Sequence, residues 1–295
     1  MQVGIVISNV SDLYSVELQD GKIYNCSARG KLKNKEISPV AGDWVEVEII
    51  DEKKLIGVIH IIQPRKKYIK RPKMSNISQM IFVISAKQPK PDLKLLDKQL
   101  AYAEYMQIKP LIVLNKIDLE DEDIIYHIMD IYTKIGYKVI KTNAKQGIGI
   151  ENITQQLKNE ITAFSGNSGV GKSTLLNNIF KNNITQEGLI SEKSKRGKNT
   201  TTQVRLYKLD DNSYVADTPG FSTFEIDEIE SLDLAHYFLE FIPHINNCQF
   251  VGCSHIKEQN CGVKKALENG EISQERYNRY CEIYEEMKKK EARKW

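Results

Sequence analysis

The most constraining feature of this chain is a glycine-rich segment at residues 166–174. It matches the pattern G-x-x-x-x-G-K-S/T at every fixed position and consists of Gly166, Asn167, Ser168, Gly169, Val170, Gly171, Lys172, Ser173 and Thr174. A segment that begins with an apolar residue precedes it, and a helix-forming segment follows it. These flanks favour a phosphate-binding loop over a glycine-rich turn that matches by chance. Glycines let backbone N–H groups converge on phosphate oxygens, and a helix N-terminus adds partial positive charge. We therefore predict that Lys172 reaches the β- and γ-phosphates of a nucleotide and that Ser173 places its hydroxyl on Mg²⁺.

A second motif predicts which base the nucleotide carries. Residues 109–114 have the continuous apolar pattern of a buried parallel strand, and Asn-Lys-Ile-Asp follows directly at 115–118. A carboxylate there accepts hydrogen bonds from N1–H and the 2-amino group of guanine, whereas adenine leaves it unpaired. The asparagine can tie the loop to the phosphate loop, the lysine stem can cover the base, and the backbone N–H of Ala144 can donate to guanine O6. The predicted guanine-binding residues are Asn115, Lys116, Asp118, Asn143 and Ala144.

The segment after the phosphate loop supplies candidates for a magnesium site. Residues 184–196 are polar and poorly periodic, and we interpret them as a mobile loop that ends before Thr200, Thr201 and Thr202. A threonine here can coordinate Mg²⁺ and sense the γ-phosphate, and we favour this role over a polar turn without function. Of the three threonines, we favour Thr201 as the ligand. Asp217, at the end of a short apolar strand, is placed as a Walker-B-type carboxylate, and Gly220 can present its N–H to the γ-phosphate. The predicted catalytic residues are Lys172, Ser173, Thr201 and Asp217, of which the last three are the predicted magnesium ligands.

The order of these motifs is unusual. In an ordinary GTPase the phosphate loop comes first and Asn-Lys-x-Asp follows it, whereas here 115–118 and 142–145 precede 166–174. The same set is present in a rotated order, and circular permutation is sterically possible because the termini of a domain are often adjacent. Connectivity then places residues 217–220 directly before the C-terminal part of the chain.

The N-terminal part has the pattern of a small β-barrel. Residues 1 to about 68 contain five short alternating segments separated by tight turns, which predicts an OB-fold. A basic loop at 29–35 is either an RNA contact or a solvated charge run. The proline-bracketed basic segment at 64–73 is a linker that either also contacts phosphates or serves as a linker alone. Cys26 is predicted to fill the core.

The C-terminal part carries a compact set of soft ligands. Its spacing is Cys-x4-Cys-x-His-x5-Cys, formed by Cys248, Cys253, His255 and Cys261. Three thiolates and an imidazole within fourteen residues suit a closed, tetrahedral and structural Zn²⁺ site better than reduced cysteines beside an unrelated histidine. His244 is an alternative ligand, and Cys281 is not expected to be one. The last helical segment, 273–294, is rich in Lys and Arg, and we interpret it as an RNA-facing tail or a solvated helix.

Composition sets broader limits. The chain is 41% apolar and 27% charged, with a net charge of +3 over 295 residues, as in an ordinary protein of two or three domains. No run of about 18 apolar residues predicts a membrane span, and the N-terminus has no signal-peptide pattern. We therefore expect a cytoplasmic protein without membrane partners, in which clustered cysteines indicate a metal before a disulfide.

Together, these features resemble the ribosome small-subunit-dependent GTPase family (RsgA, also called YjeQ) along essentially the whole chain. Two positions differ from the common family pattern: Gly-Lys-Asn precedes Thr200 where Gly-Arg-His is frequent, and Asn143 stands where serine is common. The resemblance implies a GTPase that binds the small (30S) ribosomal subunit and its rRNA late in assembly and is stimulated by it. It also implies one structural zinc per chain and Mg²⁺ with GTP.

The combined expectation is a multidomain protein. It has an OB-like, RNA-binding β-barrel at 1–68, a central α/β circularly permuted P-loop GTPase domain at 69–223 and a helical zinc-binding domain at 224–295. We expect a monomer that hydrolyses GTP to GDP and phosphate to gate its release from the subunit. The alternatives are a nucleotide-gated rRNA-binding factor in which hydrolysis is incidental and a zinc-containing DNA-binding regulator. The cluster lacks the C₂H₂ spacing and recognition-helix pattern that the DNA-binding alternative would require.

Overall fold

The computed structural model describes residues 1–32, 38–183, 204–210, 212–217 and 226–293, with only the backbone described at 31, 182, 183 and 217. Several predicted positions lie outside these ranges, namely the loop 184–196, Thr200, Thr201, Thr202 and Gly220. The chain forms two compact units, each built from three segments. The first comprises Met1–Ile81, Ile150–Ser165 and Lys172–Phe221, and the second comprises Phe82–Gly149, Gly166–Gly171 and Ser222–Trp295.

The first unit begins with a five-stranded barrel. Its strands are β1 (Gln2–Val10), β2 (Leu13–Leu18), β3 (Ile23–Ala28), β4 (Trp44–Asp51) and β5 (Ile56–Ile62). They pair in the order β1-β2-β3-β5-β4, and β1 also pairs with β4, so the sheet closes on itself. Alternate side chains point inward and form a core that includes Val16, Tyr24, Cys26 and Ile59. The predicted OB-like barrel is confirmed, and Cys26 is a core residue.

The basic segment after the barrel is partly anchored rather than free. Arg65 forms a bidentate pair with the fully buried Asp43, with both N–O distances at 2.8 Å, and a short hairpin of β6 (Tyr68–Lys70) and β7 (Lys73–Ser75) follows. Ser75 also donates to Asp43, at 2.6 Å. The guanidinium of Arg65 thus anchors the start of this segment to the barrel through Asp43.

The remainder of the first unit continues the sheet. It contains α3 (Ile150–Gln156), β11 (Ile161–Ser165), α4 (Lys172–Asn183), β12 (Arg205–Asp210) and β13 (Ser213–Asp217). Strand β11 runs parallel to β13, and β13 pairs antiparallel with β12. Strand β12 in turn meets β1 of the barrel through Ser8 and Arg205, and Lys208 forms an ion pair with the buried Glu17 at 2.7 Å.

The second unit joins parallel strands to a helical, cysteine-containing segment. Strand β8 (Gln79–Ser85) starts in the first unit and ends in the second, where it is followed by α1 (Leu93–Tyr105), β9 (Lys109–Asn115), α2 (Glu122–Thr133) and β10 (Val139–Thr142). Strands β9 and β10 are parallel and neighbour β8 in the order β10-β9-β8. The C-terminal segment contains a 3₁₀ helix (Ser231–Tyr237), α5 (Ile242–Ile245), α6 (Gly262–Glu268) and α7 (Gln274–Ala292). Across the described parts of the chain, no helix has the length and apolar character needed to cross a membrane.

Helix α7 packs against α1 through a buried network of charges. Arg276 is fully buried and contacts Asp97 at 2.6 Å and Glu240, while Arg279 contacts Asp97 at 2.5 Å. The interpretation of these two arginines as part of an RNA-facing tail is therefore wrong. A buried guanidinium needs paired carboxylates, and Asp97 and Glu240 provide them. Lys289 and Arg293 remain exposed at the end of the helix.

Candidate nucleotide site and metal centre

The glycine-rich segment forms the predicted strand–loop–helix. Strand β11 ends at Ser165, the loop occupies 166–171, and α4 starts at Lys172. Gly166 and Gly171 have φ values of 140° and 102°, which side chains rarely adopt. A Cβ at Gly166 would overlap the carbonyl oxygen of Val83, and one at Gly171 would overlap Nδ2 of Asn115. Both glycines are therefore required by backbone conformation and by close approach of their neighbours.

Asn115 connects three loops of the second unit. Its Nδ2 donates to the carbonyl of Val170 in the phosphate loop, at 2.8 Å. Its Oδ1 accepts from the hydroxyl of Thr142 and from the backbone N–H of Ala144, both at 3.0 Å. The structure thus brings together the loops at 115–118, 142–145 and 166–171, as the sequence predicts. Sequence reasoning missed Thr142, although it stands next to the predicted Asn143 and Ala144.

The remaining guanine-loop residues have distinct environments. Lys116 adopts a left-handed conformation with φ of 62°, and its ammonium donates to the carbonyl of Gln88 at 2.5 Å. Asp118 lies in a 3₁₀ helix (Ile117–Leu119) and is exposed, so its carboxylate is accessible to a ligand. Asn143 is buried, and its Oδ1 accepts from the backbone N–H of Gln146 at 3.3 Å. The backbone N–H of Ala144 donates to Oδ1 of Asn115. Its donation to guanine O6 therefore stays a prediction.

Lys172 opens helix α4 and is half-buried. Burial lowers the pKa of its ammonium from the ordinary value, because the charged form loses solvation. A phosphate group restores that lost solvation energy, so this lysine is suited to an anionic ligand. Ser173 and Thr174 follow in the first helical turn and are exposed. Asp217 ends β13, and its side chain is outside the described part of the structure.

The four predicted soft ligands meet in the second unit. The ligand atoms of Cys248, Cys253, His255 and Cys261 all lie within 4.8 Å of one another. The sulfur atoms of Cys248 and Cys261 are 3.8 Å apart, and Nδ1 of His255 lies 3.5 Å and 3.3 Å from them. Tetrahedral zinc with ordinary bond lengths requires sulfur–sulfur separations of about 3.8 Å and sulfur–nitrogen separations of about 3.5 Å. The cluster therefore has the dimensions and donor set of a site that could hold a metal ion.

The protonation chemistry of the cluster also fits a cation. Burial raises the pKa of the Cys253 thiol to about 12, so a bound cation is needed to make the thiolate the stable form. Burial lowers the pKa of His255, which favours the neutral imidazole that coordinates metals. His244 lies outside the cluster, 3.7 Å from Glu271, and Cys281 is also outside it.

Neighbouring groups fix the conformation of the loop that carries the Cys₃His cluster. Glu258 accepts from the backbone N–H groups of Ser254, Ile256 and Lys257 and from the Ser254 hydroxyl. Partial burial would raise the pKa of Glu258, but these hydrogen bonds outweigh it and lower the pKa to about 2. From α7, the hydroxyls of Tyr277 and Tyr280 donate to the carbonyls of His255 and Ser254, at 2.6 and 2.9 Å.

The fold and site define a circularly permuted P-loop GTPase domain that follows an OB-like barrel and precedes a helical Cys₃His domain. Residues 62–227 match the RsgA GTPase family, and residues 3–59 match the RsgA N-terminal domain. The chain belongs to the RsgA GTPase family, and it is a GTPase.

Known proteins of this family resemble the chain over its full length. A protein of Alkaliphilus metalliredigens named small ribosomal subunit biogenesis GTPase RsgA is 42% identical, with 98% of this chain and 99% of the relative covered. The crystal structure of YjeQ from Thermotoga maritima is 38% identical with a TM-score of 0.83, covering 97% and 98% of the two chains. The structure of YloQ, described as a circularly permuted GTPase, is 34% identical with a TM-score of 0.80, covering 98% and 96%. The predicted family and the predicted fold class are confirmed.

The guanine assignment gives a direct test. Asp118→Ala should weaken GDP binding about a hundredfold or more, because two hydrogen bonds to a charged acceptor are lost. Affinity for ADP should not improve, since nothing in the change creates an adenine contact. Isothermal titration with GDP and ADP measures both, and Asp123→Ala, an exposed carboxylate on α2, is the control. Unchanged GDP affinity in Asp118→Ala would refute the assignment.

Proposed function

We propose that this chain binds the small ribosomal subunit late in its maturation and hydrolyses GTP to GDP and phosphate to gate its own release. The observation that carries the proposal is the full-length similarity to relatives named small ribosomal subunit biogenesis GTPase, 42% identical over 98% of this chain. The barrel and the helical domain flank the GTPase segment and would supply two RNA-contacting surfaces. Connectivity supports the gating, because residues 217–220 come just before the proposed C-terminal domain, 224–295, which carries the Cys₃His cluster.

In the proposed reaction, the chain's own residues bind and orient the nucleotide. Asp118 selects guanine, the loop 166–171 and Lys172 hold the phosphates, and Ser173, Thr201 and Asp217 would hold Mg²⁺. Once bound by these residues, Mg²⁺ would neutralise part of the negative charge of the phosphates. Phe221 follows Gly220, at the place where many GTPases carry a water-orienting glutamine. We infer that turnover is slow in the free protein and that the ribosomal partner completes the site or orders it.

The Cys₃His cluster is proposed to bind one structural zinc ion. Four protein ligands fill a tetrahedral shell and leave no position for substrate, so the metal would stabilise the fold rather than take part in hydrolysis. The hydrogen bonds from α7 to the carbonyls of residues 254 and 255 would then couple the stability of the zinc-binding loop to the packing of α7.

A second candidate function follows from the absence of that glutamine. The GTP-bound form could be the working state, acting by occupying a site on rRNA, with hydrolysis incidental. A variant that binds GTP but does not hydrolyse it separates the two possibilities. It should support subunit maturation if hydrolysis is incidental and should fail, trapped on the subunit, if hydrolysis gates release.

Nucleotide-dependent co-sedimentation tests the proposed partner. The protein should sediment with purified small subunits when loaded with a non-hydrolysable GTP analogue, and at least tenfold less of it should sediment with GDP. Large subunits serve as the control and should retain little protein in either state. Equal retention by the two subunits, or retention that ignores the nucleotide, would contradict the proposal.

A further inference from the structure

Helix α1 contacts the phosphate loop at one end and the C-terminal helix α7 along its side. Both contacts lie within the second unit, and neither uses the residues between 217 and 226. Asp92, the N-cap of α1, is the point of contact with the phosphate loop. The nucleotide-binding motifs do not include Asp92.

The two carboxylate oxygens of Asp92 have different partners. Oδ1 accepts from the backbone N–H of Leu95 at 3.0 Å, which caps the helix. Oδ2 accepts from Nδ2 of Asn167, in the phosphate loop, at 3.3 Å. Leu95 and Gln99, on the first turns of α1, also line a narrow cavity together with Gly166, Asn167 and Val170. The start of α1 therefore faces the phosphate loop.

The middle of α1 is fixed by the buried charge network with α7. Asp97 is fully buried and accepts from Arg276 at 2.6 Å, from Arg279 at 2.5 Å and from the Tyr132 hydroxyl at 3.0 Å. Beside this network, Lys98 pairs with Glu286 at 2.5 Å. Moving α1 would separate buried charges from their partners, which is strongly unfavourable. The helix is thus a fixed support for whatever it touches.

We propose that α1 positions the phosphate loop for nucleotide binding and that Asp92 is the positioning residue, acting through Asn167. The loop needs its N–H groups to converge on the phosphates, and three of its glycines have positive φ. Such a backbone loses conformational freedom when it binds a phosphate. A side-chain tether to a fixed helix removes part of that freedom beforehand and so raises nucleotide affinity.

Two substitutions separate this role from helix capping. Asp92→Ser keeps an oxygen that caps α1 but is too short to reach Asn167, whereas Asp92→Asn can cap α1 through Oδ1 and, once the Asn167 amide flips, donate from Nδ2 to Oδ1 of Asn167. In full-length, zinc-loaded protein, Asp92→Ser should weaken GDP binding about threefold to tenfold, the worth of one hydrogen bond. Asp92→Asn should stay within about twofold of the unmodified protein. The KM for GTP should rise by the same factor as the GDP Kd while kcat stays nearly constant, because binding is lost equally from ground and transition states.

A double-mutant cycle completes the test, measured by fluorescence titration with labelled GDP. Asn167→Ala should weaken binding as Asp92→Ser does, and the double variant should be no weaker than either single one. Equal affinities for Asp92→Ser and Asp92→Asn would overturn the proposal, as would additive losses in the cycle. The melting temperatures of the four proteins in the cycle (the unmodified protein, the two single variants and the double variant) should agree within a few degrees, because the helix cap is preserved.

Discussion

Lys172→Ala is expected to weaken GTP binding strongly and to abolish turnover. Lys172 is the only charged side chain of the loop 166–174, and the structure places it at the first residue of α4. In the proposed site its ammonium would form charge-assisted hydrogen bonds to phosphate, which are about twice as strong as neutral ones. We expect GTP affinity to fall about a hundredfold to a thousandfold, equivalent to about 3–4 kcal/mol.

The same substitution should leave the protein folded. Burial lowers the pKa of Lys172, which means that burying its charged ammonium costs folding free energy at pH values below the ordinary pKa of lysine. Removing the charge therefore removes a cost to folding at neutral pH. Titration calorimetry with GTP and a thermal unfolding curve measure the two effects. Lys181→Ala, on an exposed position at the other end of α4, should change neither. Unchanged GTP affinity in Lys172→Ala would refute the phosphate assignment.

Cys261→Ser is expected to remove zinc and to destabilise the helical domain. Its sulfur lies 3.8 Å from that of Cys248 and also accepts from the backbone N–H of Lys264, where α6 begins. Losing one of four ligands should reduce the zinc content from one per chain to none. Structural zinc sites stabilise folded domains by many kcal/mol, so the melting temperature should fall by about 10 °C or more.

Cys281→Ser is the matched control for the metal site. Cys281 lies on α7 and packs against the same core, yet it is not part of the cluster. This variant should keep one zinc ion and melt within a few degrees of the unmodified protein. Metal analysis by mass spectrometry and thermal unfolding give the two readouts. Full zinc content in Cys261→Ser, or loss of zinc in Cys281→Ser, would contradict the ligand assignment.

The sequence predicted those features that depend on local pattern. The glycines of the phosphate loop, the strand that ends at Asn115 and the spacing of the four soft ligands each follow from chemistry that neighbouring residues must satisfy. The barrel was equally predictable, because its alternating strands and tight turns are local. These signals were sufficient for the fold class and for the order of the motifs along the chain.

Contacts between residues far apart in sequence were not predictable. Arg276 resembled the other basic residues near the C-terminus, yet it pairs with Asp97, which is 179 positions away. Asp92 lies just before α1 in the sequence, and its second hydrogen-bond partner, Asn167, is 75 positions away. No local pattern marks such pairs, because they depend on how helices pack. Arg65 is a similar case, since its partner Asp43 is buried in a turn of the barrel.

GTP turnover measured with and without purified small ribosomal subunits tests whether this chain is a GTPase that the subunit activates. We expect slow turnover by the free protein and an increase of about tenfold or more when subunits are added, because the partner would complete a site that lacks the usual glutamine. Lys172→Ala should show no turnover in either condition. Equal turnover with and without small subunits would show that the subunit does not activate this GTPase.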